Sequence, residues 1–114
     1  MLNLVVIRSA DPEKLVVFYK TIGLQFEKHA HGNGPEHFAS THDGVTFEIY
    51  PRRDTADATT AVRLGFGVAN VDAAITNLLH AGGRLVSPPK DSPWGRRAVI
   101  DDPEGHRIEL TQVL

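Results

Sequence analysis

The sequence predicts an α+β domain built from two copies of a strand–helix–three-strand unit. Three observations carry this. Stretches of period-two alternation stand near the start of each half of the 114-residue chain. Each stretch runs into a segment with apolar residues on one helical face. Matching signals recur at a near-constant offset: the helix caps Asp11 and Asn70 and the stops Gly23 and Gly82 are each 59 residues apart. Farther on, Gly44 and Gly105, and Glu48 and Glu109, are each 61 apart. A fixed offset of this kind is the mark of an internal repeat.

Strands come first. Leu2, Leu4 and Val6 alternate with Asn3, Val5 and Ile7, and Val62, Leu64, Phe66 and Val68 alternate with Arg63, Gly65 and Gly67. Asp11-Pro12 reads as an N-cap and first helical residue, ahead of Leu15, Phe18, Tyr19 and Ile22 on one face. Gly23 ends that helix. Asn70 caps the second, which carries Val71, Ala74, Ile75, Leu78 and Leu79 and stops at Gly82-Gly83. Hairpins follow each helix. Asp43-Gly44 suits a two-residue turn into Val45–Tyr50. Asp102-Pro103-Glu104-Gly105 suits a type I turn into Arg107–Thr111. The repeats span about 1–52 and 61–114 of a single domain, with a polar linker at about 52–60. Neither half can bury both faces of its own sheet. The expected architecture is therefore a curved, incompletely closed mixed-sheet barrel, with helices outside and a cleft between the repeats.

Composition excludes several function classes. A formal charge of −2 gives no reason to expect nucleic acid or an anionic membrane as partner. The absence of cysteine removes disulfides and thiolate chemistry. No apolar run approaches the roughly 20 residues that cross a bilayer. Met1–Ile7 lacks a basic flank and a cleavage site and reads as a strand, so the expected location is the cytoplasm. No serine stands in a nucleophile-elbow context. Gly32-Asn33-Gly34 lacks the lysine and the strand-to-helix setting of a phosphate loop.

The motifs, taken in order, resemble the vicinal oxygen chelate superfamily, the group of glyoxalases, bleomycin-resistance proteins and extradiol dioxygenases. Leu2 to Asp11 resembles its first strand. Phe18-Tyr19 with Ile22-Gly23-Leu24 resembles its first helix ending. Pro93-Trp94-Gly95 and Asp102-Pro103-Glu104-Gly105-His106-Arg107-Ile108-Glu109-Leu110 resemble its C-terminal signature. Metal-using members hold one divalent ion with ligands on the first and last strand of each repeat. By position these places fall on Leu4, Glu48, Arg63 and Glu109. Leucine has no lone pair, and arginine is a permanent cation with donors only. The resemblance thus implies a site that has lost its metal, with no cofactor. Arg63 is expected to bridge Glu48 and Glu109 in the metal's place. If that bridge is buried, Arg63→Leu should cost roughly 3–5 kcal/mol. One guanidinium against two carboxylates leaves net negative charge unless another arginine joins, which favours a cationic or hydrogen-bond-donating ligand.

Further ligand-contact candidates are Tyr50, on the strand face of Glu48 with its hydroxyl free; Arg8, on the face of Leu4; and His37, which opens a strand on a wet or cleft-lining face. Trp94 either stacks on a planar ligand or packs over a sheet edge. Arg96-Arg97 reads as solvated surface that could attract an anion. The catalytic candidates are Glu48, Glu109 and His37, as acid–base groups. His29 and His31 sit in Glu27–Glu36, which reads as a loop, so they are expected on the surface and not at a metal. His42, His80 and His106 are likewise expected to be solvated. The resulting reading is a metal-free small-molecule-binding protein that forms a homodimer. The alternatives are a lyase, isomerase or dioxygenase, and a non-catalytic interaction module. The ligand is not named by the sequence.

Overall fold

The structure, a computed structural model, describes residues 1–113. Two compact units are present, one spanning Met1–Thr59 and the second beginning at Thr60. Each holds one helix and an open four-stranded mixed sheet, so the tandem βαβββ pattern is present twice.

In the first unit, β1 is Leu4–Ser9, α1 Pro12–Lys20, β2 Glu27–His29, β3 His37–His42 and β4 Val45–Pro51. Strand order is β1-β4-β3-β2, with β1 parallel to β4 and the other neighbours antiparallel. The helix begins where Asp11 accepts a hydrogen bond from the Lys14 amide at 3.2 Å. Leu15, Phe18 and Tyr19 on its inner face pack with Ile7, Phe47 and Ile49 as a fully or nearly fully buried core. Tyr19 meets the rings of Phe18 and Phe47 edge-on at 5.0 and 5.1 Å. Asp43 and Gly44 both have positive φ, 50° and 82°, as a type I′ hairpin between His42 and Val45 requires.

The second unit repeats the scheme. Here β5 is Arg63–Val68, α2 Val71–His80, β6 Arg84–Ser92, β7 Gly95–Asp101 and β8 Arg107–Gln112, in sheet order β5-β8-β7-β6. Asn70 caps α2 through the Ala73 amide at 3.0 Å. Gly82, at φ 98°, sits in the left-handed position while the Gly83 amide reaches back to the Leu78 carbonyl at 2.9 Å. Val71, Ala74, Ile75 and Leu78 meet Ala98, Ile100, Ile108 and Leu110 in this core. No helix of the described residues is long and apolar enough to cross a membrane.

Several expectations need correction. The first strand starts at Leu4, two residues late, because pairing with β4 begins at Leu4–Thr46. Glu27–Glu36 is not all loop: Glu27–His29 pairs with β3 as a short strand. A 3-10 turn, Thr55–Asp57, lies within the linker.

His106 is fully buried instead of solvated. The turn before it explains this. Asp102, itself buried, accepts from the amides of Glu104, Gly105 and His106 at 2.9–3.0 Å. Its second oxygen lies 2.9 Å from His106 Nδ1. The imidazole is thereby pulled beneath the β7–β8 connection. His42 and His80 are exposed, as expected.

Candidate functional site

One face of the first sheet is covered by α1. The other carries most of the candidate residues, because paired residues share a face. Its rows are Leu4 with Thr46, Val6 with Glu48 and Ala39, Arg8 with Tyr50, and His37 with His29. Leu4 and Val6 stay 48% and 37% exposed, so β1 is apolar on both sides. The α1 side is core; the other is apolar surface bordered by charge.

Tyr50 sits between Arg8 on β1 and His37 on β3. Its ring lies parallel to the His37 imidazole, 4.1 Å between centroids and 7° between planes. The Arg8 guanidinium lies 5.3 Å from the centroid of the same ring, a cation–π contact. Arg8 also donates to the Pro51 carbonyl at 3.2 Å, which limits its reach. Tyr50 Oη is 3.4 Å from His37 Nε2. With the rings parallel, the hydroxyl stands over the imidazole plane, so this is a stacking contact more than a lone-pair hydrogen bond. The Tyr50 ring is thus held between both neighbours. His37 is buried to 1% exposure instead of lining a wet surface. Its Nδ1 lies 3.2 Å from the Pro35 carbonyl, and its Nε2 is 3.6 Å from the Glu48 carboxylate. Glu48 and His37, separate acid–base candidates in the sequence, are therefore neighbours.

In the second unit Glu109 is the focus. Arg63 reaches its Oε1 at 3.5 Å, and Arg97 makes an ion pair with the same oxygen. Two guanidiniums on one carboxylate leave no negative excess at Glu109. The Arg63 side chain is 54% exposed and that of Glu109 27%. A pair this wet contributes little. We expect Arg63→Leu to change the unfolding free energy by less than about 1 kcal/mol in urea titrations, far below the 3–5 kcal/mol of a buried bridge.

Arg96 is not a free anion attractor. It clasps Asp72 at the start of α2 with two hydrogen bonds, 2.6 and 3.0 Å, and Asp91 with a third at 3.0 Å. The hydrogen bonds with Arg96 hold Asp72 below the ordinary carboxylate range. Asp101 is buried, which alone would raise its pKa; the hydrogen bonds from Arg107 and Arg84 prevail and hold it low. Trp94 stands at the β6–β7 turn with 77% exposure, so it does not pack over a sheet edge. Beside it, Lys90, Ser92, Pro93, Arg97 and Val99 line a shallow depression of about 320 Å³.

From the sequence, His29 and His31 are expected on a surface loop in preference to a metal group. In the structure His29, His31 and His37 each present a ligand-type nitrogen, all within 4.8 Å of one another. Their approach depends on the three-residue strand β2, which carries too little pattern to be read in advance.

A mixed βαβββ sheet written twice, with paired glutamates at equivalent places on β4 and β8, defines the class of protein. The model of the Glyoxalase/Bleomycin resistance protein/Dioxygenase superfamily matches residues 1–110, and the chain belongs to that superfamily. An uncharacterized protein of Mycolicibacterium smegmatis (strain ATCC 700084 / mc(2)155) is 31% identical over 109 residues, covering 93% of this chain and 88% of the relative. Among solved structures, TnmS3, an antibiotic binding protein from Streptomyces sp. CB03234, is 26% identical with a TM-score of 0.74, covering 100% of this chain and 96% of that one. A glyoxalase/bleomycin resistance protein from Albidiferax ferrireducens T118 is similar in fold, with 22% identity, a TM-score of 0.78 and coverage of 100% and 99%.

Proposed function

We propose that the protein binds a small aromatic organic molecule, and that it does so without the superfamily's usual metal. The observation that carries this reading is the exposed face of the first sheet. Leu4 and Val6 supply an apolar floor, Tyr50 an aromatic ring backed by the buried His37 imidazole, and Glu48 and Arg8 two charged groups of opposite sign. Apolar area with a few fixed polar groups is the usual make-up of a ligand site. The likeness to an antibiotic binding protein supports a small organic molecule as ligand.

The four places that would hold the metal do not suit one. Leu4 offers no donor atom, and Arg63 brings a cation to Glu109. Two carboxylates are a thin shell for a transition metal. The test is a calorimetric panel of aromatic antibiotics that includes bleomycin. At least one should bind with a Kd of about 10 μM or tighter. Failure of the whole panel to bind below about 1 mM would contradict the reading.

The protein is also proposed to be a homodimer in the cytoplasm. Strand β6 is the outer strand of its sheet, and it leaves Leu85 and Val86 40% and 41% exposed. Open strand edges of this kind are commonly covered by a second copy. Light scattering at tens of micromolar should give twice the chain mass; a monomer mass would refute this assembly.

A further inference from the structure

We propose that His29, His31 and His37 form a transition-metal site, separate from the four places the superfamily uses. The local chain accounts for its construction. His29 is the last residue of β2 and lies directly opposite His37, the first residue of β3. Cross-strand partners of an antiparallel pair have Cβ atoms about 4.5–5.5 Å apart on one face. The intervening connection then turns back. Gly32 adopts φ 58°, and the Gly34 amide donates to the His31 carbonyl at 2.9 Å. That turn sets His31 beside the pair, with ring centroids 5.8 Å from His29 and 5.2 Å from His37.

The three nitrogens already lie within 4.8 Å of one another. Zn–N bonds of about 2.0–2.1 Å in a tetrahedral site place ligand nitrogens about 3.3 Å apart. His29 is half-buried and His31 exposed, so these two side chains have the room to rotate and close that difference. His37 is the fixed member: it is 1% exposed, stacked on Tyr50, and held at Nδ1 by the Pro35 carbonyl. A carbonyl or carboxylate on the far side of a ligating histidine is the arrangement that orients metal ligands. Two carboxylates stand close by. Glu27 is 3.2 Å from His29 Nε2 and Glu48 is 3.6 Å from His37 Nε2. They offset the ion's charge and the crowding of three imidazoles. Three neutral histidines and one open position suit zinc, nickel or copper and leave room for water or a small ligand.

The test uses the full chain, free of any tag, titrated with zinc chloride in the calorimeter, and with cobalt chloride for its visible spectrum. One ion per chain should bind, with a Kd of about 1 μM or tighter. Cobalt should give the intense visible bands of four- or five-coordination. His31→Ala and His29→Ala should each weaken zinc binding at least about tenfold, no less than the loss of a partner behind a ligand costs. His31 is exposed and His29 half-buried, so these two variants remain informative if His37→Ala fails to fold. His42→Ala and His80→Ala are the controls and should bind as the parent does. Binding weaker than about 100 μM, or zinc affinity unchanged in both His29→Ala and His31→Ala, overturns the proposal. Because the panel of aromatic compounds is read without metal, either proposal can fail alone.

Discussion

Replacing Asp102 with alanine is expected to destabilise the protein by about 3–5 kcal/mol, near the top of the range for a single substitution. One carboxylate serves three backbone amides and the His106 ring. Both side chains are excluded from solvent. Removing it takes a hydrogen-bond partner from a buried imidazole and from the buried His106 amide, and each buried donor left unsatisfied costs about 1–3 kcal/mol. The loop also fixes β7 to β8, so its loss is transmitted to the centre of the second sheet. Urea unfolding at neutral pH should show a lower midpoint with an unchanged slope. Asp102→Asn keeps one acceptor oxygen and should cost less. A loss under about 1 kcal/mol for the alanine variant would mean that water replaces the carboxylate.

The second large effect is on binding. Tyr50→Ala should weaken the best aromatic ligand at least about tenfold, or roughly 1.4 kcal/mol. The variant removes the central ring of the Arg8–Tyr50–His37 row and frees both neighbours to move. Aromatic stacking and a cation–π contact are each worth about 0.5–1.5 kcal/mol. Tyr50→Phe keeps the ring and should retain most of the affinity. Equal losses in both variants would assign the effect to the hydroxyl.

The fold was legible because its signals are local and repeated. Asp11 and Asn70 as caps, Gly82 as a left-handed stop and Asp43-Gly44 as a tight hairpin each act within a few residues. The 59- and 61-residue offsets then united them into two like units. The face shared by Glu48, Tyr50 and Arg8 was legible too, since it follows from strand period. What escaped depends on contacts between segments. The burial of His106 is set by Asp102 folding back over its own turn. The second arginine on Glu109 comes from β7, whose register with β8 no pattern in Gly95–Asp101 announces. The meeting of His29, His31 and His37 needs β2, which is only three residues long.

The most direct test of the binding account is a two-dimensional amide NMR titration of the uniformly labelled protein with the tightest compound of the aromatic panel. The account predicts that the largest shifts cluster on Leu4, Val6, Arg8, His37, Glu48 and Tyr50. Shifts confined to residues away from this face, with these six unmoved at saturation, would contradict it.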